Sequence, residues 1–290
     1  MSNEVNDGVV TACIDGSEIT SAVCDTAAWA AQTMATPVEL LHVLECARTP
    51  SGDDLSGAIG LGSRSRLLEE LTALDEARGR IALEHGKLLL EEAKARINES
   101  AEDLEISVQQ RRGALLEALQ AREAETRLFV IGRLGLDNEG RDAAIGSQVE
   151  TVVRGIRRPI LATVGQFEPP AKFMLAYDGS ESANNAVARV ARSPLLKGMP
   201  GHVVMVGDEN DTHRAQLAAA VRTLADHGHE VDGHLLQGQI VESLMTFRRE
   251  NGVGLTVMGA YGHSQFREFF VGSNTERMIS GSAVPLLLLR

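Results

Sequence analysis

"CIDGSE", Cys13–Glu18, and "AYDGSE", Ala176–Glu181, are one phrase written twice. Each closes a short apolar run and opens a stretch with helical spacing. Asp15 corresponds to Asp178, an offset of 163. At that offset "LHVLE", Leu41–Glu45, falls on "VMVGD", Val204–Asp208, and both read as strands. Further on, "VIGRLG", Val130–Gly135, matches "VMGAYG", Val257–Gly262, at an offset of 127. "IGSQVETVV", Ile145–Val153, matches "VGSNTERMI", Val271–Ile279, at 126, and Pro159 falls on Pro285 at the same offset. Four anchors in the same order are the mark of a duplication. The change from 163 to 127 places 36 extra residues of the first half between Glu45 and Gly132. "GQFEPPAK", Gly165–Lys172, separates the halves. Its Pro169-Pro170 pair cannot continue a strand interior or a helix. The expected domains are residues 1–166, with an extra loop and helix around 49–98, and residues 171–290.

Each half alternates strand and helix. The first reads as a strand at Val9–Ile14, a turn at Asp15-Gly16-Ser17, a helix near Ile19–Met34 and a strand at Val38–Glu45. A Gly- and Ser-rich loop, Thr49–Ser65, follows, readable as a lid over the first site or as a plain connector. Then comes a long amphipathic helix with Leu67, Leu71, Leu74, Ile81, Leu88 and Ile97 at three- to four-residue spacing or its multiples. Gly79 and Gly86 each weaken it by about 1 kcal/mol relative to alanine, so a kink or break is expected there. Strands "LEISVQQ", "RLFVIG" and "PILATV" complete the half, and the second half repeats the plan more briefly. Such alternation implies an α/β fold of two repeated five-stranded parallel sheets with right-handed crossovers. Apolar runs suit strands covered on both faces. The final strands, "PILATV" and "PLLLL", are apolar edges that invite pairing, so the halves are expected to join as an intramolecular pseudo-dimer. A homodimer is a further expectation.

Composition narrows the partners. The 290 residues are 43% hydrophobic and 23% charged, a globular balance. The net charge of -12 speaks against a sequence-independent grip on nucleic acid, which needs clustered Lys and Arg. It speaks equally against anionic lipid. Cys13, Cys24 and Cys46 lack framework spacing and fit a reducing, cytoplasmic setting as buried small hydrophobes. No apolar run reaches spanning length. His227, His229 and His234 raise the question of zinc. A separation of five puts His229 and His234 on opposite faces of one strand, so no metal site is expected from them.

The chemistry gathers where an open α/β sheet binds ligands, beyond the carboxyl ends of its strands. Asp178 ends the first strand of the second half. Gly259 ends the fourth, Gly262 lies three residues on, and Gly272-Ser273 opens the next helix. Glycine lets backbone approach a ligand closely. Free N–H groups at a helix start favour an anion, and a serine hydroxyl there can cap the helix or donate to phosphate. The pattern reads as a phosphate cradle without lysine or as an ordinary set of turns.

These residues resemble the universal stress protein family, whose nucleotide-binding members carry G-x2-G-x9-G-[ST]. Gly259, Gly262, Gly272 and Ser273 match it in full, and the resemblance runs through both halves. It implies tandem Rossmann-like domains of the adenine nucleotide alpha hydrolase type, and ATP, with or without Mg2+, bound at the motif. By the same resemblance, Asp178, Val206, Gly259, Gly262, His263, Gly272, Ser273 and Asn274 would form the site. Asp178 would face ribose or a phosphate-bound metal ion, and Val206 would contact adenine through its backbone. Asp15, Val43, Gly132, Gly135, Gly146 and Ser147 form a second candidate site. That copy has ten residues where the motif has nine, and its loop holds Asp137, Glu139 and Asp142 against Arg141. A polyanion is repelled there. The second half is therefore expected to be the better site. No nucleophile–base pair accompanies the glycines, so a regulator is expected, with weak ATPase activity at most. The alternatives are an interaction scaffold without nucleotide and a slow hydrolase of a nucleotide or metabolite.

Overall fold

A computed structural model describes residues 8–44, 61–133, 147–260, 277–279 and 281–290. The first half runs β1 (Val9–Cys13), α1 (Thr20–Met34), β2 (Val38–Leu44), α2 (Leu61–Ser100), β3 (Ile106–Arg112), α3 (Leu115–Arg122), β4 (Thr126–Gly132), α4 (Ser147–Gly155) and β5 (Ile160–Thr163). The second runs β6 (Phe173–Ala176), α5 (Glu181–Arg192), β7 (Gly201–Val206), α6 (Asp211–Ala225), β8 (Val231–Leu236), α7 (Ile240–Glu250), β9 (Leu255–Gly259) and β10 (Leu286–Leu289). Strands β5, β6 and β10 are buried at every residue, as expected for strands covered on both faces. One face packs on residues of α1, α2, α5 and α6, the other on residues of α3, α4 and α7.

The ten described strands form one sheet, ordered β3-β2-β1-β4-β5-β10-β9-β6-β7-β8. Pairing is parallel within each half. At the centre β5 and β10 run antiparallel, with Leu286 opposite Ala162 and Leu288 opposite Ile160. The expected pairing of last strands thus occurs within one chain, as a pseudo-two-fold seam. Two arginines cross it. Arg133 donates to the carbonyls of Ile279 and Ser282 at 3.1 and 2.6 Å. Arg290 donates to the Arg154 carbonyl at 2.6 Å. Arg290 thus brings a cation to the carbonyl end of α4, where the helix dipole favours positive charge, and Arg133 reaches the carbonyls just ahead of β10.

The registers carry the repeat at residue level. Ala12 pairs with Val130 and Leu175 with Val257, which preserves the offsets of 163 and 127. Phe129 pairs with Ile160 and Thr256 with Leu286, which preserves 126. Val38 pairs with Ile106 and Gly201 with Val231, an offset of 125 for the third strands. The insertion in the first half therefore lies wholly before β3.

That insertion contains α2, and α2 departs from expectation in three ways. It begins at Leu61, so the last residues of the anticipated 49–65 loop are helical, and residues 49–60 lie outside the described residues. It is continuous through Gly79 and Gly86. A Cβ on Gly86 would sit 2.0 Å from Gln110 Nε2 and 2.5 Å from the His42 ring, so this glycine lets the helix lie close on β2 and β3. Its apolar line also divides. Ile97 is buried together with Leu90, Ala93 and Ala101, while Leu71, Leu74, Ile81 and Leu88 are exposed.

Candidate functional site

The site is built at the point where the chain reverses direction across each half-sheet. From β6 the chain crosses to β7 on one side, yet β9 pairs with β6 on the other, Ala176 opposite Met258. This is the switch point at which open α/β sheets bind ligands, and Asp178 and Gly259 lie at the carboxyl ends of β6 and β9 that flank it. The Asp-Gly-Ser turn shapes the end of β6. Gly179 sits at φ +75°, a conformation that side chains disfavour. Its reversal lets the Asp178 carboxylate accept from the Ser180 N–H at 3.0 Å. Ser180 then caps α5, its hydroxyl accepting from the Ala183 N–H at 3.1 Å. Beneath, the Tyr177 hydroxyl donates to Asn184 Oδ1 at 2.7 Å, and burial, then the neighbouring Asp178, raises its pKa.

The end of β9 explains Gly259. A Cβ there would stand 2.7 Å from Ser182 Oγ and 2.8 Å from the Ser182 carbonyl oxygen. Only a glycine lets β9 end against the first turn of α5. Val206 ends β7, and the following Gly207 donates to the Leu236 carbonyl at 2.9 Å. Asp178, Val206 and Gly259 are all half-buried, at the carboxyl ends of the neighbouring strands β6, β7 and β9.

The first half repeats this frame with different bonding. Gly16 adopts φ +80°. Asp15 Oδ1 accepts from the Ser17 N–H at 3.0 Å, the Ser17 hydroxyl at 2.7 Å and the Thr20 hydroxyl at 3.3 Å. Among the described residues Asp15 thus accepts three hydrogen bonds and Asp178 one. The Leu89 side chain of α2 lies over Gly16, 2.9 Å from where a Cβ would be, whereas Gly179 meets the amide of Gln216. Val43 is the penultimate residue of β2, and Gly132 ends β4. Cys13, beside this turn, has its pKa raised to about 12 by burial, then by Asp15 and Glu39, so it is a neutral thiol.

The universal stress protein family matches this chain twice, over residues 8–163 and 171–290. The chain belongs to the universal stress protein family. It is 29% identical to a universal stress protein of Synechocystis over 282 residues, covering 96% of this chain and 98% of that one. Its fold is similar to the crystal structure of a universal stress protein from Archaeoglobus fulgidus, with a TM-score of 0.69 at 18% identity, covering 100% of this chain and 98% of that chain. A functionally unknown protein from Pseudomonas aeruginosa is similar at a TM-score of 0.61 and 16% identity, covering 99% and 94%.

In this universal stress protein Asp178, Val206 and Gly259 lie at the carboxyl ends of adjacent strands, and so do Asp15, Val43 and Gly132 in the first half. Gly262, His263, Gly272, Ser273 and Asn274 lie outside the described residues, as do Gly135 and Gly146. Ser147 starts α4. Thr20, Leu89 and Gln216 escaped sequence reasoning. The repeat held the signal: at an offset of 163, Thr20 faces Ala183, so only the first aspartate gains a hydroxyl donor from its helix. Among the described residues no helix is long and apolar enough to cross a membrane.

Proposed function

We propose that this universal stress protein binds ATP or a related adenine nucleotide, mainly in its second half, and acts as a cytoplasmic regulator. The domains are read as residues 1–166 and 171–290. One observation carries the choice of half. Asp178 accepts a single hydrogen bond, while Asp15 accepts three and its neighbour Gly16 is covered by the Leu89 side chain. A carboxylate with acceptor capacity to spare can receive ribose hydroxyls or hold a Mg2+ ion bound to phosphate. The spacing Gly259, Gly262, Gly272, Ser273 supports backbone capture of the phosphates. The same reading makes the role regulatory, with slow ATP hydrolysis at most.

The test is mass spectrometry of ligand released from the purified chain, together with calorimetric titration with ATP. One bound adenine nucleotide per chain is expected. Gly262→Val should abolish binding, because a β-branched side chain excludes positive φ and blocks the ligand's approach. Unchanged affinity in that variant removes the cradle, and absence of both nucleotide and heat favours the scaffold reading.

A further inference from the structure

A second polar cluster lies at the opposite end of the same half-sheet. His202 is the second residue of β7 and Asp232 the second of β8, and the register pairs them directly. His234 lies two residues beyond Asp232, on the same face of the strand. One ligand atom from each of His202, Asp232 and His234 lies within 4.8 Å of the others. His202 Nδ1 and His234 Nε2 are 3.2 Å apart. Two nitrogens bound at about 2.0–2.1 Å to a tetrahedral zinc ion stand about 3.3–3.4 Å apart. The imidazoles are therefore already spaced as ligands of one ion.

The surroundings fit a cation held at a sheet edge. Phe247 of α7 packs on both imidazoles, with ring centroids 5.4 Å from His202 and 4.7 Å from His234. This apolar cover orients the rings and shields one side. Asp232 is exposed, so its carboxylate can close on an ion from the solvent side and leave a coordination position for water. The other half answers the same position differently. By the offsets of 163 and 125, Glu39 occupies the place of His202 and Arg122 that of Phe247. There the carboxylate and guanidinium form a paired bridge, with contacts of 2.5 and 3.0 Å. In the second half the helix offers no cation at that position, and three metal-type ligands converge instead.

We infer that His202, Asp232 and His234 form a binding site for a divalent transition metal of the zinc type, with water as fourth ligand. The site lies at the amino ends of β7 and β8, away from the proposed nucleotide crevice and independent of it. With three protein ligands and an open position, the ion can exchange, and its binding ties the edge strand β8 to β7. Of His227, His229 and His234, the three histidines close in sequence, only His234 joins this cluster. His227 Nδ1 lies 2.8 Å from the Thr223 carbonyl, and the His229 ring packs on Phe173. The missing partner, His202, lies on the neighbouring strand, 32 residues from His234.

The experiment uses the full chain without a histidine tag, stripped with chelator and titrated with Zn2+ and then with Co2+. One equivalent of Zn2+ is expected, a higher melting temperature with the metal, and the visible absorption of tetrahedral Co2+. His234→Gln and Asp232→Asn should each weaken binding by at least about tenfold, since even outer-shell changes cost that much. His227→Gln should bind as the unaltered chain does. Asp232 is exposed, so Asp232→Asn keeps the fold and the test decisive if His234→Gln does not. No uptake, or uptake equal in the unaltered chain and both ligand variants, overturns the inference. Calorimetry with ATP reads the other site separately.

Discussion

Replacing Gly259 by alanine perturbs one contact whose geometry is known. The new Cβ would lie 2.7 Å from Ser182 Oγ, 2.8 Å from the Ser182 carbonyl oxygen and 3.0 Å from its carbonyl carbon. The hydroxyl can rotate away. The carbonyl belongs to the first turn of α5 and moves only if the helix moves. Overpacking of this kind costs about 1–3 kcal/mol. At about 2–4 °C per kcal/mol, the melting temperature should fall by roughly 2–12 °C. The displacement also reaches the nucleotide. Ser180 caps the same helix turn and its N–H is bonded to Asp178, so a shift of α5 tilts the carboxylate. ATP affinity should fall by about tenfold, equivalent to about 1.4 kcal/mol. Gly207→Ala is the control. Its Cβ would meet only the His213 ring, at 3.2 and 3.3 Å, and the ring can swing aside. Adding Ser182→Ala to Gly259→Ala should restore little, because the carbonyl remains. Calorimetry and thermal melts read both effects. A Gly259→Ala chain that melts and binds ATP like the original, or full rescue by Ser182→Ala, refutes the reasoning.

Two further outcomes follow from the buried polar groups. Glu39 and Arg122 are 6% and 18% exposed in their bridge. Arg122→Ala should cost about 3–5 kcal/mol by leaving a buried carboxylate alone, and Glu39→Ala should cost less, because Arg122 keeps Glu125; urea unfolding measures both. Burial, with Asp25 adding to it, raises the Cys24 thiol from 9.0 to about 12. An unfolded thiol ionises first, so this contribution to stability is complete below pH 9 and is lost as pH rises to 12. The slope approaches about 1.4 kcal/mol per pH unit for one thiol. Unfolding curves across that window should flatten in Cys24→Ala, and an unchanged slope counts against the assignment.

Several features were legible because they are local or repeated. The Asp-Gly-Ser turns are set by glycine's tolerance of positive φ and by an aspartate that accepts its neighbour's N–H. The duplication needs only residue order, and the offsets read from it reappear in the strand registers at Ala12–Val130 and Leu175–Val257. Gly259 stood out as a site glycine, but the reason for it, the carbonyl of Ser182, lies 77 positions away in the chain.

The sequence by itself determined that two α/β units share one plan, where each crevice aspartate lies, and that the last strands are apolar edges. Those features depend on short-range backbone preferences and on the alternation of strand and helix. The tertiary structure alone decided which face of α2 is buried. Periodicity orders the residues around a helix axis but does not name the surface it meets, and contact with α1, β2 and β3 buried Gly86 and Ile97 while leaving Ile81 and Leu88 in solvent. It alone set His202 beside His234. Strand register is a choice among long-range pairings, and the pairing of β7 with β8 brings those two imidazoles to 3.2 Å.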